Sequence, residues 1–184
     1  MTAHPADIVT FWRQAGPKRW FKKSAAFDDA IRLKFEPTHH AAARGDYDKW
    51  IGTAEGALAL VILLDQFPRN LYRRSAHSYA TDPLARRFAA DAIDQGHDRS
   101  TEATLRGFFY LPFEHSEGLA DQDRSVALFE AARRETGDDG YLKWAIGHRD
   151  VIARFGRFPH RNRALGRETT PEEQAFLDEG GFAG

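Results

Sequence analysis

Tyr141, Trp144, Ala145, His148, Ile152 and Phe155 fall at i, i+3, i+4, i+7, i+11 and i+14. That spacing puts all six on one stripe of an α-helix. The same period recurs along the chain, and no segment alternates apolar and polar residues with strand formers. The expected class is therefore all-α. Ile8, Phe11 and Trp12 mark a first helix ended by Gly16-Pro17, and a loop of bases and aromatics, Lys18-Arg-Trp-Phe-Lys-Lys23, follows. Phe27, Ile31 and Phe35 predict a helix up to Pro37, with a further helical stretch over 38–44. Residues 48–64 read as a helix whose second half is apolar nearly all round, hence buried, and Pro68 is expected to stop the chain there. Further helices are expected over 82–95, where Asp82 would cap and Pro83 would take the first turn, and over 101–111 and 123–136. The last begins at Thr170-Pro-Glu-Glu173, a capping box. Short antiparallel helices on tight connections suggest stacked hairpins in one domain over 1–184, although no tetratricopeptide consensus repeats in the sequence.

Composition narrows the chemistry. The chain has no cysteine, which excludes disulfides, thiol nucleophiles and cysteine-ligated metals and suits a reducing compartment. The N-terminal apolar segment carries Asp7 and Arg13, unlike a signal peptide, and the longest apolar run, 57–64, is too short to span a bilayer. A cytoplasmic location is expected. The formal charge of −1 advertises neither nucleic acid nor a membrane as partner. No dinucleotide fingerprint, phosphate loop or Gly-x-Ser-x-Gly elbow is present.

Three polar segments exceed what folding requires. Leu63-Leu-Asp-Gln-Phe-Pro-Arg-Asn70 and Gly156-Arg-Phe-Pro-His-Arg-Asn162 both follow an apolar helix and both carry Phe-Pro and then Arg-Asn. The first offers Asp65, Gln66, Arg69 and Asn70 as ligand-binding candidates; the second offers Arg157, Arg161 and Asn162. Arg presents a planar fork for carboxylate or phosphate, and Asn a donor and an acceptor. Against this, Pro and Phe end and cover helices routinely, and Arg bonds their open carbonyls. In the third segment, Tyr110-Leu-Pro-Phe-Glu-His-Ser-Glu117, His115 has a carboxylate on either side. His115, with Glu117 orienting it, and His160 are the catalytic candidates, since a neighbouring carboxylate tunes an imidazole. The competing reading is a cluster that bonds backbone freed by Pro112. His148 lies on an apolar stripe and reads as a satisfied core residue. Glu114, His115, Glu117, His148 and His160 lack a diagnostic metal spacing, so no metal is assigned, and no cofactor is indicated.

Taken in order, Leu64-Asp-Gln-Phe-Pro-Arg-Asn70, Thr81-Asp-Pro-Leu-Ala85, Leu111-Pro-Phe-Glu-His-Ser-Glu117 with Asp121-Gln122, and Gly156-Arg-Phe-Pro-His-Arg-Asn162 through Leu165-Gly-Arg167 to Thr170-Pro-Glu-Glu173 resemble the bacterial domain-of-unknown-function family 924. The resemblance covers nearly the whole chain. It implies a tetratricopeptide-like, right-handed stack of helical hairpins. It implies no activity and carries over no catalytic residue. Phe113-Glu114 departs from the Met expected before the His in relatives. Two readings of function follow. One is a small anionic metabolite held in a pocket lined by Arg and His, with or without turnover. The alternative is a protein- or peptide-binding module whose concave face takes a partner.

Overall fold

The computed structural model describes residues 3–137 and 141–182. Every regular element among them is helical. The chain divides into two compact units, one formed by Met1–Arg73 and His77–Pro112, the other by Arg74–Ala76 and Phe113–Gly184.

The first unit is organised around α4 (Ala54–Val61), buried on all sides from Gly56 onward. Helices α1 (Pro5–Ala15) and α6 (Asp82–Asp94) pack on it. Ile8 and Trp12 of α1 and Phe88 of α6 are buried there, and α3 (Ala25–Ala43) buries Phe27, Ile31 and Phe35, with Phe27 6.0 Å from the Trp12 ring and Phe35 5.2 Å from Phe67. Trp12 sits at the centre of an aromatic group, 5.7 Å from the Phe67 ring and 5.5 Å from Phe108, both edge to face. Such pairs add about 0.5–1.5 kcal/mol each beyond the area they bury.

Several expected boundaries move, each for a local reason. The helix predicted to end at Pro37 runs on to Ala43. Pro37 leaves the residue-33 carbonyl without its donor, but Leu33 is 86% exposed, so water can serve it. The helix predicted over 48–64 instead begins as a 3₁₀ turn, Asp48–Gly52, and restarts at Thr53, whose hydroxyl accepts the Gly56 N–H at 3.1 Å. A Cβ on Gly56 would lie 2.2 Å from the Trp50 carbonyl oxygen, so only glycine fits beneath that turn. The segment read as a loop contains a short helix, α2 (Pro17–Trp20). Pro68 does not stop the buried helix. The chain widens into a π-helical turn, Ile62–Gln66, and continues as α5 (Phe67–Leu71). The stretch 101–111 divides into α7 (Ala103–Arg106), a 3₁₀ turn (Gly107–Phe109) and α8 (Leu111–Glu114), with Pro112 in a first turn where its missing N–H is harmless.

In the second unit, α9 (Leu119–Thr136) packs along α10 (Leu142–Phe155). Val126 and Phe129 are buried on one helix and Leu142, Ala145 and Ile152 on the other. Gly137 and Gly156 close these helices in the left-handed conformation, φ 76° and 68°, that glycine adopts without strain. The capping box predicted at Thr170 opens α11 (Pro171–Asp178). No helix among the described residues is long and apolar enough to cross a membrane.

Candidate functional site

The first polar segment owes its residues to the π turn. A wider turn leaves carbonyls without their usual donors, and Pro68 has no N–H to offer to Leu64 in the α register or to Leu63 in the π register. Side chains supply the missing donors. His39 bonds the Leu63 carbonyl through Nδ1 at 2.8 Å, Thr81 donates its hydroxyl to Leu64 O at 2.6 Å, and Arg69 donates to Asp65 O at 2.5 Å. A carbonyl only accepts, so His39 carries its proton on Nδ1. Burial holds the His39 pKa below its usual value, against that carbonyl bond.

Arg69 also clasps both oxygens of Asp82 at 3.0 Å each. Its Nη1 lies 3.4 Å from the Asp65 carboxylate. Burial works to lower the Arg69 pKa, but the Asp65 and Asp82 charges outweigh it and raise it. Gln66 donates to Asp65 Oδ2 at 2.5 Å, and Asn70 donates to Asp28 at 2.8 Å. Asp28 also takes Arg73 in a two-point contact at 2.6 and 2.8 Å. Asp82, expected as a helix cap, is therefore the counter-ion of Arg69; the cap position falls on Thr81. Asp65, Gln66, Arg69 and Asn70 thus all have partners within the first unit.

The second segment is arranged differently. Arg157 grips Glu173 at 2.5 and 2.8 Å and donates to Glu168 O at 2.9 Å. Glu173 also accepts from Asn162 at 3.1 Å and from the Thr170 amide at 2.8 Å. The Arg157 hydrogen bond, with help from those donors, overcomes burial and holds Glu173 down to about 2. Asn162 in turn accepts from Arg167 Nε at 3.0 Å. Arg167 takes both oxygens of Glu117, at 2.7 and 2.9 Å, and Glu117 also accepts the Phe158 N–H at 2.8 Å. Burial works to raise the Glu117 pKa, but the Arg167 and Phe158 hydrogen bonds and the charges of Arg167 and Arg161 lower it. Glu117 therefore anchors this loop.

The carboxylate that meets a histidine is Glu114. Only 3% exposed, it lies 3.2 Å from His148 Nδ1, which also bonds the Trp144 carbonyl at 2.8 Å. His148 is thus the satisfied inward residue the helical stripe implies, and it belongs to a cluster of rings. Its centroid is 6.3 Å from His115, 5.6 Å from Phe158 and 4.2 Å from Phe182. His160 lies 5.5 Å from Phe158 and 5.1 Å from Phe182. The Arg161 guanidinium, 6% exposed, rests over Phe158 at 4.4 Å. His115 and His160 are half-buried. Gln122, buried, donates from one amide nitrogen to the Glu114 and Ser116 carbonyls at 2.6 Å each. That holds the short turn that carries His115. The fold thus brings His160 and Arg161 to Phe158, sets His115 beside His148, and ties Arg157, Asn162 and Glu117 into the neighbouring hydrogen-bond network.

Sequence reading overlooked Asp28, Asp82, His39, Thr81, Arg167 and Glu173 as the partners of these side chains. Only Glu173 carried a signal, through its capping box. It also undervalued Glu114, the buried carboxylate beside His148. Among the described residues no three His, Cys, Asp or Glu side chains converge as a metal site. A surface depression of about 410 Å³ on α9 is lined by Glu130, Arg133 and Arg134, none of them a predicted site residue.

An all-helical protein with internally bridged helix exits and a histidine–arginine cluster is the class that fold and site define. The chain matches the family described as "Bacterial protein of unknown function (DUF924)" over residues 8–181 and belongs to it. It is similar to a solved structure, the protein of unknown function ATU0120 from Agrobacterium tumefaciens. The two are 55% identical, with a TM-score of 0.90, over 96% of this chain and 97% of the other. A comparison with curated proteins finds no match. No function is established for the family or for that neighbour.

Proposed function

We propose that the second unit binds a small anionic metabolite at Arg161 and the surrounding imidazoles. The observation that carries this reading is the gathering of a buried guanidinium and two imidazoles on one ring: Arg161, His148 and His160 at 4.4, 5.6 and 5.5 Å from Phe158. A guanidinium in a low-dielectric setting attracts a carboxylate or phosphate more strongly than one in water. His115 and His160, half-buried, offer ring nitrogens as hydrogen-bonding groups. Glu114 steadies His148 behind them. Arg69, Arg157, Asn70 and Asn162 act as struts in this reading, because carboxylates of the same chain already occupy them. A cytoplasmic setting suits a chain without cysteine.

The test is a titration with inorganic phosphate, pyruvate and citrate, followed by thermal shift and calorimetry. An anion at about a hundred times its dissociation constant stabilises the wild type by roughly 2.7 kcal/mol. Arg161→Lys and His160→Ala each weaken that affinity about tenfold or more, since each loses a hydrogen bond to a charge, while Arg69→Lys leaves it unchanged. An affinity retained in Arg161→Lys and His160→Ala, or no response to any anion, overturns the assignment. The alternative, a tetratricopeptide-like interaction module, draws on Trp144, 58% exposed on α10. It is favoured if no anion acts and Trp144→Ala abolishes capture of a partner peptide.

A further inference from the structure

The turn between α1 and α3 combines three observations. Between Asp7 and Asp28 there is no acidic residue, and Lys18, Arg19, Lys22 and Lys23 crowd into six positions. All four are exposed. Among the described residues no ion pair or side-chain hydrogen bond engages any of them. Other cations, among them Lys34, Lys49 and Lys143, also carry no ion pair among the described residues, so density sets the turn apart: four cations stand in six positions, with no acidic residue from 8 to 27. Among these cations stands Phe21, 59% exposed.

The turn is anchored by its buried neighbours. Trp20 is buried, donates its indole N–H to Trp12 O at 2.7 Å and stands edge to face on Phe108 at 4.9 Å. Phe21 lies parallel to Phe108 at 6.3 Å, with its outer side in solvent. Pro17 opens the turn, and Ser24 closes it by capping α3. Nothing in folding calls for four unneutralised cations beside an outward-facing ring. Burying that ring in water-excluding material is favourable, and the cations add attraction to a negative surface.

We propose that this turn docks the protein on an anionic phospholipid surface, with Phe21 entering the headgroup region and Lys18, Arg19, Lys22 and Lys23 at the phosphates. A protruding turn with one outward ring fits a flat, fluid surface. A nucleic-acid strand would call for a groove with a succession of stacking rings. The whole-chain charge of −1 averages over this turn and conceals it. Each cation held at an anionic bilayer strengthens binding about fivefold, so four of them with one ring give a reversible, peripheral attachment.

The full-length protein is sedimented with vesicles of phosphatidylcholine alone and with vesicles containing phosphatidylglycerol. Binding is expected only to the second kind. It is expected to weaken sharply between about 0.15 M and 1 M salt, as the screening length falls from about 8 to 3 Å. Lys22→Gln with Lys23→Gln lowers the partition coefficient about tenfold or more. Phe21→Ser lowers it about fivefold, at low and high salt alike. The lysine variant keeps the wild-type melting temperature because those side chains are exposed; Phe21→Ser gives up the ring contact with Phe108 and is compared at a temperature where circular dichroism shows it folded. Equal binding to both vesicle types, or variants that bind as the wild type does, overturns the proposal. Tighter binding to a single-stranded oligonucleotide than to anionic vesicles at the same salt also overturns it, and reassigns the turn to nucleic acid.

Discussion

The two Phe-Pro-Arg-Asn segments share their residues but not their mechanics. In the first unit the motif borders a π turn whose open carbonyls are met by its own Arg69 and by His39 and Thr81 from elsewhere in the chain, and Asp65 and Asp82 hold Arg69 in place. In the second unit the helix ends conventionally at Gly156; Arg157, just ahead of the motif, and the motif's Asn162 reach forward to Glu173 at the start of α11, while its Arg161 rests over Phe158. One is a device inside a helix; the other is a strap from one helix to the next. Similar sequence letters therefore report similar chemistry, donors beside a chain reversal, without reporting which groups they satisfy.

Removing one carboxylate from each network sharpens this difference most. Asp82→Ala is expected to cost about 3 kcal/mol, because it leaves Arg69 largely enclosed with half of its countercharge gone. Glu173→Ala is expected to cost less, since the Arg157 left behind can turn to water. Urea denaturation of both variants checks the order, and equal losses would erase the distinction between device and strap.

Acid separates the two segments next. The folded pKa of His39 is depressed, so its contribution is fully present above the ordinary histidine value of 6.5 and is lost as pH falls below it. Glu173 is held at about 2, so its contribution is present above the ordinary 4.5 and disappears as pH falls toward 2. His39→Gln should therefore flatten the decline in melting temperature just below pH 6.5, and Glu173→Gln the decline below 4.5. A wild-type melting curve that both variants merely shift in parallel would contradict these assignments.

The smallest effect tests the carbonyl repair itself. Thr81→Val keeps the shape but removes the hydroxyl donated to Leu64 O. A loss of about 1 kcal/mol is expected from the bond and the stranded acceptor. Hydrogen exchange should quicken around the π turn in this variant; no change there would mean the turn does not depend on Thr81.

Some of this architecture was legible in advance. Ala145, His148 and Ile152 of the stripe are buried as the pattern implies, although Trp144 faces solvent, and the stops at Gly137 and Gly156 and the capping box at Thr170 appear where the pattern puts them. Each depends on residues within one or two turns of one another. Two of the failures occurred at prolines. Pro37 and Pro68 remove a donor, and whether the chain then breaks depends on what else meets the stranded carbonyl. At residue 33 that is solvent, and at residues 63 and 64 it is His39 and Thr81, 24 and 17 positions away.

The candidate site divides along the same line. That Arg, His and Asn would gather near the helix exits followed from the sequence, because helix ends leave polar groups that need partners. Which carboxylate answers which cation did not: Asp82 lies 13 residues from Arg69, Glu173 lies 16 from Arg157, and Glu117 lies 50 from Arg167. Helix type and helix limits come from short-range hydrogen bonding and from the 3.6-residue period, both written in neighbouring residues. Charge pairing, the burial of Arg161 and the exposure of Phe21 come from how helices pack, so only the folded chain decided them.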